Sequence, residues 1–126
     1  TAYSTLSDVD ICGFVSTGKS KDILNERFGG GFATFDRLAT ALTETRPDAV
    51  CISTYPDTHE SFAVTALEHG CHVFVEKPLA DTVEGARRVV QAAEKAGKTL
   101  LVGYILRHHP SWKKFIELAH ELGKPL

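Results

Sequence analysis

The chain has 126 residues, 43% hydrophobic and 24% charged, with 14 Lys and Arg against 16 Asp and Glu. That is enough for one domain with its own core, and it is not the composition of a disordered, collagenous or disulfide-framed protein. The near balance of charge, with no basic run or stripe, gives no electrostatic case for a nucleic-acid partner or an anionic membrane; no apolar segment is long enough to span a bilayer, and no charged-then-apolar signal opens the chain. The expectation is a cytoplasmic protein.

In chain order, Val9–Val15 reads as a strand. Its tip is Ser16 and Thr17, with Lys19 and Lys21 close behind and a helix beginning at Lys21. Gly29, Gly30 and Gly31 precede a weaker strand, Phe32–Phe35. They do not form GxGxxG and do not follow a strand, so they read as a helix-to-strand turn. A helix from about Asp36 must stop before Pro47, because a proline disfavours helix at Arg46. Ala49–Ser53 is the next strand. Asp57 with Glu60 has capping-box spacing for a helix that Gly70 would end, and His72–Val75 is the strand after it.

Asp81 with Glu84 repeats the capping-box spacing, and Gly97 closes that helix. Its residues Val83, Ala86, Val90 and Ala93 share one face, which should cover the sheet. Thr99–Val102 is the last strand. Trp112, Phe115, Ile116, Leu118, Ala119 and Leu122 then mark an amphipathic helix ending at Gly123, with a cut in the chain expected at Lys124–Leu126. Short strands alternating with helices are the signature of βαβ units, so the fold class is α/β with a doubly wound parallel sheet of Rossmann type.

Cys12, Cys51 and Cys71 are odd in number, lack CxxC spacing and fall in or beside strand-like runs, so they read as buried thiols. His108 and His109 are adjacent and lack other ligands at metal spacing, so no metal site is expected. The chain has no methionine and begins at Thr1, which points to a piece of a longer polypeptide. A dinucleotide-binding sheet normally carries a phosphate-cradling glycine loop after its first strand. None is present, so in a protein of that kind the first strand and its loop would precede Thr1.

The stretch HVFVEKPLAD, 72–81, ends an apolar strand in a glutamate, a lysine and a proline. Pro78 has a fixed φ and no N–H, so it stops the ladder and holds Lys77 extended at the strand's C-terminal tip. In an open parallel α/β sheet, ligands bind along that edge.

The run TYPDTHESFAVTALEHGCHVFVEKPLA, followed by GKTLLVGYILRHHP, resembles the Gfo/Idh/MocA family of NAD(P)-dependent oxidoreductases, in register from about Val9 to Pro110. The resemblance implies that 1–126 is part of an N-terminal nucleotide-binding Rossmann domain, without its first strand and glycine loop, and that a C-terminal substrate and oligomerisation domain lies outside this chain. It implies Lys77 as the catalytic lysine of the EKP motif, near the nicotinamide and the substrate hydroxyl, with a Lys–Pro bond that is usually cis. It implies that Glu76 contacts the cofactor ribose. Ser53, Thr54, Pro56 and His59 lie in the segment that runs beside the cofactor, although Tyr55 and Pro56 depart from the family's commonest TPN pattern. Arg107 and Pro110 take the family's arginine and proline positions, and Ile105 stands where a polar residue is common.

At the second-strand tip an NAD enzyme of this fold commonly has a carboxylate. Here the tip offers the hydroxyls of Ser16 and Thr17 and the ammonium groups of Lys19 and Lys21, which suit a 2′-phosphate, so NADP is favoured and NAD possible. The implied activity is hydride transfer between nicotinamide and the hydroxyl or carbonyl carbon of a sugar, polyol or cyclic diol, in a homo-oligomer, with this chain alone inactive. The alternative is a non-catalytic nucleotide-binding or assembly module with a degenerate Rossmann fold.

Overall fold

The computed structural model describes residues 5–123, so Lys124–Leu126 and the expected cut there lie outside the described residues. Five short strands alternate with five helices: β1 Gly13–Val15, α1 Ser20–Arg27, β2 Ala33–Phe35, α2 Leu38–Thr45, β3 Ala49–Ile52, α3 Pro56–Glu68, β4 His72–Val75, α4 Val83–Ala96, β5 Leu100–Val102 and α5 Pro110–Glu121. A 3-10 turn, Ile105–His108, precedes α5. All strand pairs are parallel, with β1 on β2 and β3-β4-β5 in sequence.

These pairings form two sheets instead of one continuous sheet. In the order 3-2-1-4-5-6 of a dinucleotide-binding sheet, the pieces correspond to 3-2 and 4-5-6. The break falls at the place of strand 1.

The main core lies on one face of the three-stranded sheet. Ile52, Val73 and Val75 alternate inward from the strands and meet Ala63, Ala66 and Leu67 of α3 and Val89 and Ala93 of α4. Fully burying a Leu or Val side chain contributes about 1.5–3 kcal/mol, so Leu67, Val75 and Val89 anchor this layer. A smaller aromatic group supports the two-stranded sheet, where the Phe14 ring lies 6.2 Å from Phe28 and 5.4 Å from Phe32.

Several local expectations need correction. Strand β1 is Gly13–Val15, so most of the expected run from Val9 carries no ladder. Among the described residues only β2 pairs with β1, and three registered positions define its length. Helix α3 is not started by a box of Asp57 with Glu60. Pro56 opens it at N1, where its fixed φ suits a helix, and the Glu60 carboxylate binds Arg88 instead. The N-cap of α4 is Thr82, whose Oγ1 accepts from the Gly85 amide at 3.0 Å. The predicted ending of that helix holds, with Gly97 left-handed at φ 63°. The three glycines before β2 all have positive φ, as a helix-to-strand turn requires.

Helix α4 is also rotated from its expected setting. Gly85, Val89 and Ala93 face the core, while Val83 and Val90 are exposed. The small Gly85 lets α4 approach α3: a Cβ there would overlap the Glu60 carboxylate and come within 3.1 Å of the Ala80 methyl. Arg88 Nε donates to Glu60 Oε1 at 2.6 Å and Nη2 to Oε2 at 3.1 Å, which lowers the Glu60 pKa and raises that of Arg88. Of the cysteines, Cys71 is buried and desolvation pushes its thiol up, but Cys12 and Cys51 are exposed. Cys51 points away from the face that α3 and α4 cover.

Candidate functional site

Parallel pairing puts the C-terminal tips of neighbouring strands side by side. In the larger sheet the ladder runs one residue past the strands: Glu76 N donates to Ile52 O at 2.9 Å and Gly103 N to Val75 O at 2.8 Å. Ser53, Glu76 and Gly103 therefore follow one another along one edge, with Thr54 and Lys77 next beyond. Glu76 is half-buried, and its Oε2 accepts from the Lys77 amide at 3.3 Å. Gly103 makes the space it occupies, because a Cβ there would lie 3.2 Å from Glu76 Oε2 and 3.2 Å from the Phe74 ring. Gly103 was not among the predicted site residues, although a glycine directly after a strand was the available signal.

Lys77 is exposed and its bond to Pro78 is cis, as the resemblance implies. Among the described residues its ammonium has no hydrogen-bond or ion-pair partner. Thr58 Oγ1 donates to Tyr55 O at 2.7 Å and lies 2.7 Å from Thr54 Oγ1. A hydroxyl has one proton, so Thr54 must donate to Thr58, and its remaining capacity is as an acceptor. Ser53, Thr54 and Pro56 are exposed beside Lys77's strand, as is Tyr55. The exposed Arg107 stands apart from them on the 3-10 turn after β5.

His59, expected in the segment beside the cofactor, is turned into the interior. It is 1% exposed. Its Nδ1 lies 2.6 Å from Pro78 O and its Nε2 3.1 Å from Thr54 O. With both ring nitrogens turned to backbone carbonyls, neither is presented to a ligand at the edge.

The second group stands at the tip of β1. Ser16 N continues the small ladder to Phe35 O at 3.0 Å, and its Oγ accepts from Gly18 N and pairs with Ser20 Oγ. Thr17 and Lys19 are exposed. Lys21 is not available to a 2′-phosphate as expected. Its Nζ donates to Ser16 O at 3.1 Å, Gly18 O at 3.2 Å and Asp36 Oδ1 at 2.7 Å, which uses all three protons. The hydrogen bond to Asp36 is the main reason its pKa is raised, against the lowering effect of burial. Asp36, one residue past β2, was not recognised as this lysine's partner because the pairing spans 15 positions.

With Arg107 apart, His59 buried and Lys21 engaged, the remaining predicted residues fall into two clusters on two sheets: Ser53, Thr54, Pro56, Glu76 and Lys77 on the larger, and Ser16 and Thr17 on the smaller. The exposed hydroxyls of Ser53, Thr54 and Thr17 and the Lys77 ammonium thus stand at or just beyond strand C-termini, the edge along which ligands bind in an open parallel α/β sheet.

Residues 2–104 match the family model described as an oxidoreductase family with an NAD-binding Rossmann fold. An inositol 2-dehydrogenase of Paracoccus denitrificans (strain Pd 1222) is 38% identical over 94 residues, covering 73% of this chain and 28% of that protein. Two solved structures are similar. A mutant of KijD10, a 3-ketoreductase from Actinomadura kijaniata in complex with TDP-benzene and NADP, is 25% identical, with TM-score 0.82 over 95% of this chain and 37% of that one. The WlbA dehydrogenase of Bordetella pertussis, in complex with NADH and UDP-GlcNAcA, is 26% identical, with TM-score 0.79 over 91% of this chain and 35% of that one. This chain spans about a quarter to a third of the length of the relatives it matches.

Proposed function

This chain belongs to the Gfo/Idh/MocA oxidoreductase family, with its NAD-binding Rossmann fold, and from that premise we propose that it is part of a longer enzyme. That enzyme moves a hydride between a nicotinamide cofactor and the hydroxyl or carbonyl carbon of a sugar, polyol or cyclic diol. The observation that carries the reading is Lys77: an ammonium without a partner among the described residues, at the C-terminal edge of a parallel sheet, one residue past the ladder's last bond at Glu76 and just before Pro78, which has no N–H to extend it. The relative's name makes an inositol the first substrate to try.

The cofactor supplies the hydride chemistry when bound; the chain supplies position and charge. Lys77 stabilises negative charge developing on the substrate oxygen or relays its proton. Glu76 and Thr54 accept hydrogen bonds from ribose hydroxyls, with Ser53 and Pro56 lining the same loop. Arg107 adds a cation from the far side of β5. At the other tip, Ser16, Thr17 and Lys19 favour NADP over NAD, while Lys21 braces the loop that carries them. The substrate domain and a homo-oligomeric assembly belong to the longer protein.

Replacing Lys77 by alanine in that protein tests the reading. Turnover is expected to fall by about 10²–10⁴-fold, the range for a lost proton-transfer group, with NADPH affinity close to that of the parent. Intact turnover would remove Lys77 from the chemistry, whereas a longer parent protein that binds NADPH but turns over no inositol or nucleotide-linked sugar would leave the chain a non-catalytic nucleotide-binding module.

A further inference from the structure

The Lys77 reading leaves a physical gap, because a lysine on a flexible four-carbon stem is a useful catalyst only where its backbone is held. Strand β4 ends at Val75 and α4 begins at Val83, so the segment between must be fixed by contacts of its own. Pro78 has no amide proton to offer. Its carbonyl lies 2.6 Å from Nδ1 of His59.

His59 is well suited to hold that carbonyl. It sits in the first turns of α3, and three later residues of the helix, Ala63, Ala66 and Leu67, are fully buried against the sheet. The ring is itself 1% exposed, so it cannot swing away without opening the core. Its other nitrogen lies 3.1 Å from the carbonyl of Thr54, at the exit of β3. One immobile ring therefore joins the loop after β3 to the loop after β4.

We propose that His59 is a positioning residue for Lys77: its Nδ1–H anchors the Pro78 carbonyl, and the Nε2 side of the ring registers that anchor against Thr54. This rests on the reading of Lys77 as the catalytic lysine. A neutral imidazole carries one N–H, and the shorter contact assigns it to Nδ1; a protonated ring donates from both nitrogens. In either state Nδ1 donates to Pro78. His59 touches no reacting atom, and its effect passes through the backbone that presents the ammonium.

Two amide variants in the longer protein separate the Nδ1 side of the ring from the Nε2 side. His59→Asn places an amide nitrogen near the position of Nδ1, whereas His59→Gln carries it toward the position of Nε2. With NADPH and whichever inositol or nucleotide-linked sugar the parent turns over best, His59→Asn should keep kcat within about tenfold. His59→Gln and His59→Leu should lose about 10²-fold, the scale of an ångström's misplacement. In all three, KM and NADPH affinity should stay near parental values.

Equal kcat for the Asn and Gln variants would overturn the proposal. So would a loss that follows NADPH affinity, which would make His59 a cofactor contact after all. Because buried variants can fail to fold, nitrogen-15 NMR of histidine-labelled parent protein gives a second test. A slowly exchanging proton on Nδ1 of His59 is expected, and an unprotonated Nδ1 would overturn the assignment. Lys77→Ala with full turnover would remove the underlying reading, whereas an inactive Lys77→Ala with equal Asn and Gln variants would remove this inference alone.

Discussion

Lys21 and Lys77 carry the same charge near two strand tips, yet their surroundings give them different work. Lys21 meets two carbonyls and the Asp36 carboxylate, with its side chain 13% exposed. Lys77 meets solvent. A lysine saturated by its own loop has little to give a phosphate, whereas Lys19, exposed one residue before α1, has its full charge available. Lys19→Ala should therefore weaken NADPH by about tenfold, roughly 1.4 kcal/mol, and leave NADH nearly unchanged. Lys21→Met should weaken both alike, because it loosens the loop and removes no phosphate contact. Titration of nicotinamide fluorescence reads both ratios, and a selective loss of NADPH in Lys21→Met would restore Lys21 as the phosphate ligand. Lys77 was legible in the sequence because Pro78 adjoins it. The engagement of Lys21 was not, since Asp36 is brought to it only by the pairing of β1 with β2.

At the scale of elements, the strands were found by their short β-branched runs, but two helix starts and one helix face were not. Thr82 caps α4 in place of Asp81, and Pro56 opens α3 ahead of Asp57. Each is a choice between adjacent residues of similar propensity that tertiary packing decides. The face of α4 was misread because Val83, Ala86 and Val90 form a stripe as apolar as the true one. What turns the helix is the absence of a side chain at Gly85, which lets α4 close on α3 beside the Glu60–Arg88 pair. In an exposed helix Gly85→Ala would gain about 1 kcal/mol from propensity. Here the added methyl meets a carboxylate held by two hydrogen bonds and the Ala80 methyl, and overpacking of that kind costs about 1–3 kcal/mol. The net effect expected in urea denaturation is a loss of stability, and a gain would mean that Glu60 swings clear at no cost.

For the whole molecule, the two separate sheets and the helices on them decide which surfaces stay open. Helices α3 and α4 follow successive right-handed crossovers between β3, β4 and β5, so both lie on the same face. The other face presents Cys51 and Leu101, the latter 56% exposed. Helix α5 adds Phe115, half exposed, and the residue after it, Leu122, is 75% exposed; among the other elements α5 contacts chiefly the 3-10 turn before it. Monomeric soluble proteins rarely leave such apolar surface contiguous, and unpaired strand edges invite association. Residues 1–126 expressed alone should therefore bind a hydrophobic dye such as ANS strongly and associate as concentration rises. The longer protein should do neither, because further chain would cover these faces and occupy the break between β1 and β3. Sedimentation with dye titration compares the two, and a monomeric, dye-silent 126-residue chain would show that the open faces need no further cover. The alternation of strands and helices made the fold class readable in advance. The break was only half readable, as the absence of a glycine loop, because local patterning reports which segments are strands and not which strand edges find partners.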